Sequence, residues 1–376
     1  MRIIMTHGYM LSGTGSNIYV QSLCRALVSE GHDVHLLCQE PEPLAYDFVG
    51  KSAKVDGQRV EDLGEQETTY AGLCVVYKPE IGDLLPVYVY DDYPGWRVKT
   101  FLDLTQQELE YYLRLNVEAL KTVLGVSGAE AVITNHSVPG PLIARRALEA
   151  DDLPYVSIVH GSCLQYVSRK SGMYMGLTRE GLEVAREILA LSSHSAGTIA
   201  EDFPDLADRT HSLPGGVDTE LFHPDALDHG VLDYLEGGPG RGQTQRTSLR
   251  EALAMSGHAG ELAGALRAVA ASYDARSHDR DAGERLRHFL DREGPLLVYV
   301  GKLIHSKGVH SLISAFSRVR KETGARLLVI GFGTFREGLE ALTCSLSAGD
   351  ETTVERLAEM GRLLEGGPAG PLEHFE

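Results

Sequence analysis

Long apolar runs are missing from this 376-residue chain. No stretch approaches the ~20 consecutive apolar residues that a helix needs to cross a bilayer. The opening Met1-Arg-Ile-Ile-Met-Thr-His-Gly8 has no signal-peptide core. Cysteine is scarce: Cys24, Cys38, Cys74, Cys163 and Cys344 are odd in number, scattered and form no Cys-x-x-Cys pair. That argues against a disulfide framework and fits reduced thiols in a cytoplasmic protein. No His/Cys cluster has metal-ligand spacing, so no bound metal is expected. Positive charge is in deficit, with 35 Lys and Arg against 53 Asp and Glu for a net charge of -18. A chain of that sign lacks the basic face that nucleic acid requires, but a local basic pocket for a phosphorylated small molecule is compatible with it.

What the chain does have is a regular alternation of short apolar runs and amphipathic segments. Apolar residues make up 43% of it, which supports packed cores, and its 376 residues suffice for two domains. Arg2–Thr6 reads as a strand, His7–Asn17 as a loop carrying Gly8, Gly13 and Gly15, Ile18–Glu30 as a helix ended by Gly31, and His32–Cys38 as a second strand. Such a βαβ unit predicts a parallel sheet with a right-handed crossover. Val75–Tyr77 and Val87–Tyr90 look like strands broken up by proline and glycine. Beyond them the periodicity predicts helices over 104–124, 140–149 and 180–191, and strands at 131–134, 155–159, 195–200 and 210–213. Residues 1–224 thus read as a doubly wound α/β domain ending in the linker Gly215–Pro224. Residues 225–293 are rich in Gly, Ala, Arg, Asp and Glu and read as a helical, partly mobile insertion. Residues 294–376 begin a second α/β domain with strands at 296–300 and 326–330. So few strands are too small a set to close a core, and this domain reads as incomplete in the chain.

The densest signal is Leu296-Leu-Val-Tyr-Val-Gly301-Lys302-Leu-Ile-His305-Ser306-Lys307-Gly308. A β-branched run reads as a buried parallel strand. It stops at a glycine, delivers two lysines around a turn, and hands over to an amphipathic helix with Val309, Leu312, Ile313, Phe316 and Val319 on one face. A strand that ends in glycine and basic residues ahead of a helix start is suited to an anion, because the first helical N–H groups and the helix dipole favour negative charge there. Two lysines match a doubly charged group such as a diphosphate. A surface turn with solvated lysines is the plainer reading of the same residues.

Five features occur in order: Gly13-Thr14-Gly15 after the first strand, Asn135-His136, Val159-His160-Gly161, Gly216-Val217-Asp218, and Gly301-Lys302 to Lys307-Gly308 followed by Gly331-Phe332-Gly333. In this order they resemble the retaining nucleotide-sugar glycosyltransferases of the GT-B fold, in particular glycosyltransferase family 4. The resemblance covers roughly residues 1–40, 130–224 and 295–335. It implies two Rossmann-like domains facing a cleft, and transfer of a hexose from a UDP-, GDP- or ADP-sugar to a sugar, glycolipid or small-molecule acceptor. The nucleotide sugar would be a substrate, so no cofactor is implied. Peripheral contact with a membrane is compatible with it. By the same resemblance Gly13 and Gly15 approach the donor diphosphate, His136 sits beside the transferred sugar, and Lys302 and Lys307 bind the diphosphate between Gly301 and Gly308. Gly331 and Gly333 match the loop near the nucleotide, while His160 and His7 fall on the acceptor side. Two features depart from the family. Lys302 stands where an arginine is usual, which keeps the charge but loses the bidentate fork. The family's Glu-x7-Glu motif is missing: Glu351 and Glu359 have the spacing without the flanking residues. This too reads as a chain cut short at its C-terminus.

Other readings stay open at this level. Gly13-x-Gly15 is also a fragment of a dinucleotide fingerprint, but Ile18 replaces the third glycine and the loop before Gly13 is long for an NAD-dependent oxidoreductase. A non-catalytic nucleotide-sugar-binding protein would explain the missing glutamates. Glu40 sits where a dinucleotide fold places a ribose-binding acid, Asp218 reads as a turn residue, and Arg169 and Lys170 as solvated charges. Ser16 and Asn17 read as a helix cap. Trp96, Tyr88, Tyr90 and Tyr93 are candidates either for an acceptor cleft or for core packing.

Overall fold

The βαβ unit expected at the N-terminus seeds a large sheet. Its strands are β1 (Arg2–Thr6), β2 (Asp33–Leu37), β3 (Lys51–Asp56), β4 (Arg59–Glu65) and β5 (Cys74–Pro79). A separate parallel pair follows, β6 (Leu84–Val87) with β7 (Arg97–Thr100). The large sheet then resumes with β8 (Ala131–Asn135), β9 (Tyr155–Val159), β10 (Glu187–Ala190) and β11 (Thr210–Ser212). This computed structural model describes residues 1–89, 93, 95–148, 153–219, 222, 235, 245–255, 257–272 and 281–372. Strand order in the large sheet is β11-β10-β9-β8-β1-β2-β5-β3-β4, all parallel except the β3–β4 hairpin. From β1 the chain builds outward through β2 and β5. It then returns to build the other way through β8, β9, β10 and β11. The order therefore reverses between β1 and β8. The crevice at the carboxyl ends of strands at such a reversal is where open α/β sheets bind ligands.

Among the described residues of this unit six helices accompany the sheet: α1 (Gly15–Ser29), α2 (Gln106–Ser127), α3 (Gly140–Ala147), α4 (Gly161–Tyr166), α5 (Gly172–Leu182) and α6 (Ser193–Asp202). The period of two along β1 sorts the layers. Ile4 packs with Leu113 and Leu120 of α2 and Leu142 of α3, while Met5 packs with Val20, Cys24 and Val28 of α1. Local chemistry sets the helix ends. Thr105 and Glu108 form a reciprocal capping box at the start of α2, and Gly128 ends it in the left-handed conformation.

Local expectations failed at several segments, and one hairpin was missed. Residues 195–200 are not a strand but part of α6, whose cap Ser192 accepts the Ser195 N–H at 3.1 Å. The helix expected over 180–191 ends at Leu182, because residues 187–190 pair with β9 instead. The β3–β4 hairpin was not foreseen. Its two strands carry many charged side chains, and β4 is a solvent-facing edge.

The chain divides into two units, Met1–Phe222 and His223–Glu376. In the second, α7 (Gln245–Met255), α8 (Ala259–Ala271) and α9 (Ala282–Leu290) precede β12 (Leu296–Val300). Then come α10 (Val309–Thr323), β13 (Arg326–Ile330), α11 (Arg336–Ala348) and α12 (Glu351–Met360). β12 and β13 pair in parallel as expected. The expected burial of this strand is not what the unit shows. Tyr299 and Val329 pack onto the helical core, but Leu296, Val298, Val300 and Ile330 on the alternate face are 41, 53, 72 and 49% exposed. A pair of strands offers two faces, and the helical core lies against one of them. No helix among the described residues is long and apolar enough to cross a membrane.

Candidate active site

The candidate residues fall into two clusters, one in each unit. In the first unit, His7 follows β1, His136 follows β8 and His160 follows β9, all at the carboxyl edge beside the strand reversal. The ladder sets their proximity: Thr6 is in register with Thr134, and Asn135 with Ile158. His136 lies between the others. Its ring centroid is 4.6 Å from that of His160 and 5.8 Å from that of His7, with Tyr88 at 4.5 Å. His136 has a φ of 71°, the only non-glycine residue with positive φ among the described residues. A side chain held in the left-handed region costs roughly 1–2 kcal/mol, so the surrounding packing must impose it. Two constraints are visible. The His136 N–H donates to the Ile158 carbonyl at 2.8 Å. Gly140, at the start of α3, approaches so closely that a Cβ there would meet the Asn135 carbonyl oxygen at 2.3 Å.

All three rings are buried. Desolvation drives their acidities. Burial lowers the His7 pKa to about 4 and the His160 pKa to about 3. It also holds His136 well below the ordinary imidazole range, with His160 and His7 adding to the effect. The histidines are therefore neutral at pH 7. This has a consequence for stability. The unfolded chain takes up these protons near pH 6.5, well before the native state does. The contribution is thus complete above pH 6.5 and is lost as pH falls toward 4 and 3. Lowering the pH from 7 to 5 should cost about 2 kcal/mol for each of His7 and His160. Urea unfolding at the two pH values measures this, and equal midpoints would refute it.

Hydrogen bonds place the flanking rings. His7 Nε2 lies 3.0 Å from Asn17 Oδ1, and His160 Nε2 lies 3.1 Å from Asn135 Oδ1. Both nitrogens of His136, Nδ1 of His7, Oγ1 of Thr6 and Oε1 of Gln39 are buried without a hydrogen-bond partner. The same four residues line a cavity of about 30 Å³, with Tyr9 and Tyr88 across it. Among the described residues no three His, Cys, Asp or Glu side chains are placed to share a metal ion.

The glycine loop between β1 and α1 is tied down by residues whose roles the sequence did not reveal. Thr14, not Ser16 or Asn17, caps α1, accepting from the Asn17 N–H. Asn17 is fully buried and reaches back to the loop, donating to the Ser12 carbonyl. Glu40 is buried and accepts from the Leu11 N–H at 2.9 Å and from the Tyr46 hydroxyl at 3.2 Å. It serves this loop as a clamp. Gly13 has a φ of 92°, so the backbone requires glycine there. Gly15 does not: its φ is ordinary and a Cβ would meet nothing within 4 Å. Space is therefore open beside Gly15. Tyr93 and Trp96 pack around Tyr9, Leu85 and Val87, whereas Tyr90 lies outside the described residues. Arg169 pairs with Asp202 at 3.2 Å.

In the second unit, Gly301, Lys302, Lys307, Gly308, Gly331 and Gly333 form one local group. Residues 301–303 zip onto the end of β13 and the residues after it: the Gly301 N–H donates to the Ile330 carbonyl at 3.0 Å and the Leu303 N–H to the Phe332 carbonyl at 2.7 Å. This close approach explains two glycines. A Cβ on Gly331 would meet the Gly301 oxygen at 1.9 Å, and one on Gly333 would meet the Leu303 oxygen at 2.5 Å. Lys302 is half-buried with its ammonium 5.8 Å from the Phe332 ring centroid, and Lys307 is exposed. Gly308 is left-handed with a φ of 65°, closing the turn His305–Lys307 and starting α10.

Known proteins resemble this chain over parts of its length. Glycogen synthase of Alkalilimnicola ehrlichii is 29% identical over 132 residues, 35% of this chain and 21% of that protein. The match thus spans about a fifth of that relative. The solved structure of sucrose-phosphate synthase from Thermosynechococcus elongatus superposes with a TM-score of 0.50 at 15% identity, covering 94% of this chain and 69% of that one. That likeness shows the fold, the GT-B type expected from the sequence. The family model described as "Glycosyl transferase 4-like domain" matches residues 14–216, more than half of the chain. That span takes in α1, Asn17, Asn135, His136 and His160, and the chain belongs to the glycosyl transferase 4-like family.

Proposed function

We propose that this protein is a retaining, metal-independent glycosyltransferase that moves a hexose from a nucleotide-diphosphate sugar to a hydroxyl acceptor in the cytoplasm. The observation that carries the reading is the neutral histidine His136, held in a left-handed backbone at the strand reversal with both ring nitrogens unsatisfied. A neutral imidazole in a buried pocket is a hydrogen-bonding group for a polyol, and a poor acid or base at pH 7. The proton chemistry therefore falls to the substrates. As the bond between the anomeric carbon and the diphosphate oxygen breaks, the acceptor oxygen bonds to that carbon on the same face, and the diphosphate, gaining negative charge, takes the acceptor's proton. Lys302 and Lys307, ahead of α10, would offset this charge, with one such donor typically worth ~3 kcal/mol in the barrier. The room beside Gly15 lets a phosphate approach the backbone at the start of α1. The acceptor is a sugar, glycolipid or small molecule.

The test offers UDP-, GDP- and ADP-glucose with monosaccharides, sugar phosphates and α-glucan primers, with and without EDTA. The expected result is release of one nucleoside diphosphate, unchanged by EDTA, and a product with the donor's anomeric configuration. Binding of a nucleotide sugar without release would leave a non-catalytic binding protein. A product of inverted configuration would overturn the mechanism.

A further inference from the structure

We propose that Asn17 and Asn135 are positioning residues that fix His7 and His160 as Nε2–H tautomers, so that each presents Nδ1 only as a hydrogen-bond acceptor. The assignment follows from which atoms can donate. A backbone carbonyl only accepts. The Asn17 amide group facing the Ser12 carbonyl is therefore the Nδ2 amine, and Oδ1 is left to face His7 Nε2 at 3.0 Å. An amide oxygen also only accepts, so the proton between them belongs to His7 Nε2. The same steps apply one strand over. Asn135 Nδ2 donates to the Thr6 carbonyl at 3.1 Å, which turns Oδ1 to His160 Nε2 at 3.1 Å. Burial keeps both rings neutral at pH 7, so each carries a single proton and Nδ1 holds a lone pair. The Met10 carbonyl also lies beside the His7 ring. Its contact with Nδ1 falls short of ordinary hydrogen-bond geometry, and a proton drawn there would leave Asn17 Oδ1 facing a second lone pair.

Two clamps of the same design thus act on the rings either side of His136. One comes from helix α1 and anchors on the glycine loop. The other comes from the end of β8 and anchors on the end of β1. His7 Nδ1 is buried without a partner, and His7 lines the 30 Å³ cavity beside His136. An acceptor of this kind suits a hydroxyl donor. Its use for a substrate hydroxyl rests on the transferase reading above, whereas the tautomers do not.

Long-range proton–nitrogen NMR of the full chain, carrying 15N-histidine at pH 7, reads the tautomers directly. His7→Gln and His160→Gln assign the signals by their loss. The expected result is the Nε2–H pattern for both rings in the wild-type protein. An Nδ1–H pattern, the outcome the Met10 carbonyl would favour, or an imidazolium for either ring overturns the proposal. Asn17→Ala should turn the His7 signal into a tautomer mixture, leave His160 unchanged and lower kcat about tenfold with little change in donor KM. An unaltered His7 signal in that variant would remove Asn17 from the role, and an unaltered kcat would remove the hydroxyl contact. If the wild type transfers no sugar at all, the transferase reading fails while the tautomers stand on the spectrum alone.

Discussion

Replacing both Lys302 and Lys307 by alanine should lower kcat/KM for the nucleotide sugar by about ten-thousandfold, with each single replacement costing about a hundredfold. The size follows from the chemistry. One further negative charge develops on a leaving diphosphate that already carries two, and an ammonium group fixed before the reaction stabilises it without reorganisation. The structural cost should be small. Lys307 is exposed, and the contact of Lys302 with the Phe332 ring is worth about 0.5–1 kcal/mol. The melting temperature should therefore fall by only a few degrees. Steady-state kinetics with the preferred donor, alongside thermal unfolding, separates the two effects. Retained kcat/KM in the double variant would take both lysines out of the mechanism. Arginine at position 302 is the informative control. It restores the charge and adds a planar fork, so Lys302→Arg should keep most of the activity.

His136→Asn should lower kcat about a hundredfold and leave the fold intact. Asparagine tolerates the left-handed backbone better than histidine does, so the strain at a φ of 71° is partly relieved. Against that, the smaller side chain leaves space beside Tyr88 and His160, where the ring now packs at 4.5 and 4.6 Å. These terms oppose each other, and each is on the order of 1–2 kcal/mol. The loss of activity has no such offset, because asparagine places its polar atoms closer to the backbone than an imidazole does. A nucleotide-sugar affinity close to wild type, measured by calorimetry, would show that His136 acts on the transferred sugar and not on the nucleotide. Wild-type kcat in this variant would exclude His136 as the central group of the site.

Much of the architecture was legible residue by residue. Strand β1, the glycine loop, β9, β12 and β13 lie where the apolar runs and glycines placed them, because those signals act within a few residues. The Lys302–Gly308 turn belongs to the same class: strand, glycine, basic turn, helix. Where neighbours far along the chain decide the outcome, local patterning failed. Residues 187–190 looked helical by their own periodicity, yet they form β10 because β9 offers a ladder beside them. Residues 195–200 looked like a strand, and a single hydroxyl at Ser192 starts a helix instead.

The site shows the same division. The sequence by itself determined which groups exist: three histidines after three strands, two asparagines, a pair of lysines and the glycines that let backbones approach. Only tertiary structure decided what they became. Residues 7, 136 and 160 meet because the sheet order seats β8 against β1 and β9 against β8. Their neutrality comes from burial, and their tautomers come from amides on a helix and a strand that no local spacing links to them. Acidity and hydrogen-bond direction depend on surroundings, and surroundings exist only once distant segments have packed.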